Sequence, residues 1–358
     1  MTNKPQLAVA LVALAISTVA SQALVFLGSG DSSHNTTPPT GTLAGSGWQW
    51  QSQGGFGATV IGTHLVATAN HLGISAGRTF PYAGLTYHVV AATNEPGSDL
   101  RLFWVAGRIP DAAPIYDGNN ETNSYLVFHG FGGPRGGPVY FDPPANTDLR
   151  GWLWTSFDGR LRWGTNLVTD VMTETVGVPG EYLISYFTQS AGDDVISFST
   201  GDSGGGAFIL DADGKWKLAG VITAVEAEFR TTPTSSTFYA ALFNREGFYE
   251  PLDNNTWGLD PSASTTPGVF FETTRVSAYA NWIKAQLAAP YPGPPVPILL
   301  AAEEPGGPFV EVNAYAIDPG AHEITFATPS NRQQFYQLSG TTNIVSIVRK
   351  SDITSLFY

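Results

Sequence analysis

Thr200-Gly201-Asp202-Ser203-Gly204-Gly205-Gly206-Ala207 sets one serine among glycines, with an acid just before it and the strand-like run Ala207-Phe208-Ile209-Leu210 behind it. Glycines permit a tight, partly φ > 0 backbone in which neighbouring N–H groups turn toward one point. A serine held there can attack a carbonyl, and the N–H groups of Gly201 and Ser203 can stabilise the oxyanion that forms. A Gly-rich β-turn with an incidental serine accounts for the same residues in a chain that carries 40 glycines. The flanking sequence has to decide.

Outward from that stretch, the texture is that of an all-β protein. Short runs of valine, threonine and aromatic residues lie between glycines, and Pro (25) and Gly (40) are abundant. With 358 residues there is room for two to three domains, and 42% hydrophobic against 13% charged residues leaves little scope for disorder. Net charge is −13, from 30 acidic and 17 basic residues without a basic cluster, which argues against nucleic acid or anionic membrane partners. Cysteine is absent, so disulfides, thiolate metal sites and a cysteine nucleophile are excluded. No metal-ligating set of histidines or acids is visible, and catalysis here is expected to need no cofactor.

Upstream of the serine, Gly57-Ala58-Thr59-Val60-Ile61-Gly62 and His64-Leu65-Val66-Ala67-Thr68-Ala69 read as two short strands, the second running into Asn70-His71-Leu72-Gly73. A further pair follows at Thr79–Tyr82 and Thr86–Ala91, and then Ser98-Asp99-Leu100-Arg101-Leu102-Phe103-Trp104-Val105, where an acid opens an alternating strand. Downstream, Val276, Tyr279, Ala280, Ile283 and Leu287 recur at helical spacing. Thr273 or Thr274 could cap that helix, Pro290 bars its continuation, and its apolar stripe is expected to lie on the second barrel described next.

Val66-Ala67-Thr68-Ala69-Asn70-His71, Ser98-Asp99-Leu100-Arg101-Leu102 and Gly201-Asp202-Ser203-Gly204-Gly205, in that order, resemble the chymotrypsin/trypsin family of serine proteases, as a secreted, cysteine-free member of the bacterial type. Leu218-Ala219-Gly220-Val221-Ile222-Thr223 resembles the strand along which the family's substrates lie, and Pro267-Gly268-Val269-Phe270 with Val276-Ser277-Ala278-Tyr279-Ala280-Asn281-Trp282-Ile283 resembles its last strand and closing helix. The resemblance spans roughly residues 48–288 at the level of motifs. It implies two six-stranded antiparallel β-barrels, at about 48–118 and 122–275, a closing helix at about 275–288, and a cleft between the barrels.

The same resemblance assigns roles. Ser203 is the nucleophile, His71 the general base and Asp99 its partner, with the Gly201 and Ser203 N–H groups as oxyanion hole. Asp111 and Asp117 are rivals of Asp99, but they stand in a Pro/Gly-rich loop, whereas Asp99 opens a strand. By position before the nucleophile, Ser197 falls at the floor of the primary pocket, with Ser199 and Thr200 on its wall and no carboxylate, unless Asp193 or Asp194 is shifted into it. Thr223, Ala224 and Val225 line the substrate strand. Ala224 and Val225 stand where many members carry a large aromatic and then glycine, and a valine there would favour small or medium apolar side chains. In many members the acid at Asp202 pairs with a freshly cut N-terminal ammonium. No Ile-Val-Gly-Gly-type sequence precedes the first barrel here, so either maturation differs or Asp202 has another partner.

The remaining segments frame this domain. Lys4, the apolar run Leu7–Ala20 and Ser21-Gln22-Ala23 form a secretory signal peptide over 1–23, cleaved after Ala23 or Ala20, with an uncleaved anchor as the alternative. Residues 24–47 read as a flexible leader, and Glu226–Thr266 as an insertion beside the pocket that shapes access. Residues 290–297 read as a stiff proline linker before a small β-sandwich module at 298–358, which resembles the C-terminal modules of many bacterial secreted enzymes and is expected to contact a cell surface or glycan. The expected activity is hydrolysis of polypeptides outside the cell. A catalytically silent, protease-like binding protein is the alternative. An α/β-hydrolase esterase is rejected, since Ser203 is followed by a β-run and only His322 lies downstream.

Overall fold

The strand Leu65–Ala69 is buried at every position, because both of its faces meet a core. Val66 points into the first barrel, among Phe80, Tyr87, Phe103 and Val105. Leu65, Ala67 and Ala69 point the other way, into a cluster shared with Phe208, Leu218 and Val221 of the second barrel. Alternate residues of a strand face opposite sides, so a continuous apolar run marks a strand covered twice.

The computed structural model describes residues 24–156, 158–175, 178–189, 192–252, 256–329, 334–339 and 343–358; the predicted signal segment, residues 1–23, lies outside them. The chain is all-β, a double antiparallel β-barrel with a closing helix. The first barrel joins Thr59–Val60, Leu65–Ala69, Leu100–Arg108, Leu85–Asn94 and Thr79–Tyr82, all antiparallel. The second is a seven-stranded sheet in the order Arg162–Leu167, Tyr125–Gly130, Gly206–Leu210, Trp216–Val225, Phe270–Arg275, Gly180–Tyr186 and Asp170–Glu174. Leu126, Phe128, Phe198, Ile209 and Phe271 fill it.

The 3-10 turn Val276–Tyr279 and the α-helix Ala280–Ala288 follow the last of these strands. The expected side-chain cap is absent: Thr273 and Thr274 belong to the strand, and Arg275 stands before the first turn. Nor does the helix lie on the second barrel alone. Val276 and Ile283 enter the inter-barrel cluster beside Leu65, Leu102 and Trp104 as well as Leu218, so the helix clamps both barrels.

Two segments differ from their sequence reading. The leader is ordered: Val25–Phe26 forms a strand against Ile196–Ser197, and Leu24, Val25 and Phe26 are buried, as their apolar side chains demand. The tail is a small module of two sheets packed on a shared core, as expected, but it is not set apart by its linker: Tyr315–Asp318 pairs with the end of Leu100–Arg108 and extends the first barrel's sheet through Glu323–Ala327, Ile353–Phe357 and Ser346–Lys350. Gly107 makes this possible. Its φ is +110°, and a Cβ there would fall 2.2 Å from the Tyr315 carbonyl oxygen. A second, three-stranded sheet (Val310–Glu311, Leu299–Ala302, Phe335–Leu338) completes the tail.

The insertion after Val225 is folded too. Glu228–Phe229 and Phe238–Leu242 join Leu149–Trp154 and Arg135–Tyr140 in a four-stranded sheet. Arg245 ties it to the residue just after Trp216–Val225, meeting Asp260 at 2.6 Å, Glu250 at 2.8 Å and Glu226 at 3.5 Å. Those three carboxylates converge closely enough to hold a metal ion, but the guanidinium bridges them. Burial, and then Glu226, push the Glu250 carboxyl above the usual carboxylate range.

Candidate active site

Ala69 is paired with Leu100, so the residues just beyond that pair, Asn70-His71 and Asp99, must meet. They do so through three bonds. The Asn70 N–H donates to the Asp99 carbonyl at 2.7 Å, the His71 N–H donates to Oδ1 at 2.9 Å, and His71 Nδ1 lies 2.7 Å from Oδ2. Asn70–Leu72 is a 3-10 turn closed by Gly73 at φ +62°, which swings the imidazole back over the strand end. Asp99 is 1% exposed and the His71 side chain 37%. With Nδ1 taken by the carboxylate, Nε2 is the nitrogen left for a second partner. Arg101 steadies the turn, donating from Nη1 to Asn70 Oδ1 and Asn94 Oδ1 and from Nε to the Ile74 carbonyl. Sequence reading gave Arg101 no role; its place two residues after the acid was the available signal. The rival acids are engaged elsewhere, Asp111 with the Trp50 indole N–H at 2.9 Å and Asp117 with Lys284 at 2.5 Å.

Ser203 sits in a loop that needs its glycines. Gly201 has φ +103° and Gly204 φ +83°. A Cβ on Gly204 would lie 2.2 Å from the Gly57 carbonyl oxygen and 2.4 Å from Thr68 Oγ1. A Cβ on Gly57 would lie 2.4 Å from the Ser203 carbonyl oxygen. The loop therefore docks directly on the first barrel, against the strand that leads into the His71 turn. The Gly204 N–H donates to the Ile222 carbonyl and the Gly205 N–H to that of Asp202, but among the described residues nothing accepts from the N–H of Gly201 or of Ser203.

Asp202 has found its partners, two backbone amides and, at 3.4 Å, the Ser199 hydroxyl. The Ser199 N–H donates to Oδ2 at 2.8 Å and the Gly132 N–H to Oδ1 at 3.1 Å, with no cation bonded to it among the described residues. Gly130 leaves it room, since a Cβ there would fall 2.0 Å from Oδ1. Burial outweighs the two amides and pushes the carboxyl up to about 7.

The expected pocket residues are less open than their positions suggest. Ser197 is fully buried and opposite Val25 of the leader, with its hydroxyl turned to the Phe198 carbonyl at 3.4 Å. The Phe198 and Phe271 rings stand 4.3 Å apart behind it. Asp194 is held by His34 Nε2 at 2.9 Å and Asn35 Nδ2 at 2.8 Å, and Asp193 packs on Gly28, so both acids face the leader. Thr223 Oγ1 lies 2.8 Å from Thr274 Oγ1, within the sheet. Val225 packs on the second barrel's core, and Ala224 lies opposite Glu272. Sequence reading passed over Glu272, although it is the one acid in the run Phe270–Arg275.

No family model and no curated protein matches the chain. Among solved structures it is similar to HBP, at 14% identity over 67% of this chain and 89% of that one with a TM-score of 0.40. It is also similar to mouse neuropsin, described as a serine protease of the limbic system, at 13% identity, 68% and 96% coverage and a TM-score of 0.40. A mutant of human heparin binding protein gives 14%, 70%, 96% and 0.41. The strand order and register described above carry the fold of this chain.

Proposed function

We propose that this protein is a secreted serine endopeptidase. The observation that carries the reading is the His71–Asp99 pair just beyond the strand on which the serine loop docks, with the Gly201 and Ser203 N–H groups of that loop lacking an acceptor among the described residues. None of the hydrogen bonds among those residues joins Ser203 to His71, so the two must close up when substrate binds. In this mechanism Ser203 Oγ attacks the scissile carbonyl and His71 Nε2 takes its proton, later returning it to the leaving amine. Asp99, fixed by three bonds to the turn, holds the imidazole and stabilises its charged form. The Gly201 and Ser203 N–H groups receive the oxyanion; losing one such donor costs about 3 kcal/mol in the barrier. The primary side chain is placed at Val225, the partly exposed residue in front of the buried Ser197 and the Phe198–Phe271 rings, which leaves space for small or medium apolar residues only. The tail offers its fully exposed edge strand Ser346–Lys350 for contact with a cell surface or glycan.

A fluorophosphonate probe tests the reading. It should label the protein at Ser203, and Ser203→Ala should abolish labelling and lower peptide hydrolysis by at least about 10³-fold. A peptide library should show cutting after small residues, not after Arg or Lys. A chain that neither reacts with the probe nor cleaves any peptide is the silent binding protein instead. The filled wall at Phe198 and Phe271 is the feature that would favour that outcome.

A further inference from the structure

Glu272 has a position fixed from both sides, opposite Ala224 on one neighbouring strand and Ile184 on the other. Directly opposed residues of antiparallel strands share a face. Phe271 and Leu183 point into the second barrel's core, so Glu272 points outward, to the side of Ala224. The pairs Tyr182↔Thr274, Met172↔Tyr182 and Glu174↔Gly180 put Tyr182 and Glu174 on that same face. Burial, and then the charges of Asp99 and Glu272, hold the Tyr182 phenol above its ordinary range.

This carboxylate lacks what buried acids normally have. Glu272 is 3% exposed, and its Oε1 has no hydrogen-bond partner among the described residues. Glu226 has Arg245, but none of the ion pairs among the described residues includes Glu272 or Glu174. Burial, followed by Glu174 and Glu226, pushes the Glu272 carboxyl up to about 7. A buried acid of this kind is stabilised by an arriving cation more than an exposed one is.

We propose that Glu272, with Glu174 at its rim, forms a subsite for a Lys or Arg side chain of the substrate, on the residues preceding the scissile bond. The inference rests on the peptidase reading, in which substrate runs along Thr223-Ala224-Val225. The primary side chain then lies on the side of Val225, and a cationic one reaches the opposite face of the strand. Ala224 is half-buried and puts only a methyl group beside the carboxylate, so the cation approaches Glu272 from that side, its stem against the strand.

Peptides with a small residue before the scissile bond, carrying Lys, Ala or Glu at each of the three preceding positions, separate the two claims. Their kcat/KM is measured on the wild type, and their binding to Ser203→Ala by fluorescence anisotropy. At one position Lys should exceed Ala by about tenfold, the scale of one hydrogen bond between charged groups, and Glu should fall below Ala. Glu272→Gln should bring the Lys/Ala ratio toward one. Glu174→Gln, at a half-exposed position that does not endanger folding, should lower it about threefold. Equal values for Lys and Ala peptides at all three positions, or a ratio unchanged in both variants, overturns the subsite. If nothing is cleaved but Lys peptides bind preferentially and Glu272→Gln removes the preference, the subsite stands and the peptidase reading falls. No cleavage and no preference overturns both.

Discussion

Asp202 shows how much a single residue's surroundings decide. Its type and place beside the serine are plain in the sequence, but its partners, the Ser199 and Gly132 amides, come from residues 3 and 70 positions away. Its carboxyl is raised from 3.8 to about 7, so the folded state holds a proton that the unfolded chain releases near pH 4. The stability this contributes is complete below about pH 4 and is lost as pH rises to about 7, by roughly 3–5 kcal/mol. Melting temperature followed from pH 4 to 8 should therefore fall more steeply in the wild type than in Asp202→Asn. The variant keeps one acceptor oxygen of two, so it should start lower at pH 4. Parallel curves would contradict the assignment.

Among elements, the serine loop is held by its fit against the first barrel as well as by hydrogen bonds. Gly204→Ala would place a methyl group against the Gly57 carbonyl at a φ of +83°. Strain at such a position costs about 1–3 kcal/mol, and the steric overlap adds to it. The variant should melt at lower temperature and label at Ser203 at least tenfold more slowly; unchanged labelling would mean the docking does not position the loop. The glycines were legible as a tight turn, whereas the surface they touch was not, since Gly57 and Thr68 lie more than 130 residues upstream. The closing helix tells the same story. Its periodicity marked an apolar stripe, but only packing revealed that Val276 and Ile283 serve both barrels.

For the whole molecule, the tail is a continuation of the first barrel. Tyr315–Asp318 covers the edge at Gly107 and Arg108, and Ala106 packs with Tyr315, Ile317 and Leu356. Ending the chain after residue 297 would uncover that edge and its apolar neighbours. The truncated protein should melt well below the full chain and aggregate; an unchanged melting temperature would show that barrel and tail are energetically independent.

Local chemistry is written in local sequence: alternation for strands, a 3.6-residue stripe for the helix, and glycines around a serine with an acid before it. Order along the chain also brought His71 and Asp99 under suspicion together, because each stands at the end of a readable strand. What the amino-acid order could not state is which distant surfaces meet. The buried leader, the tail joined to the first barrel, the amides on Asp202 and the lone carboxylate opposite Ala224 all depend on strand register and packing across long separations. Those are set by the summed burial of the whole chain, and no short window of residues contains them.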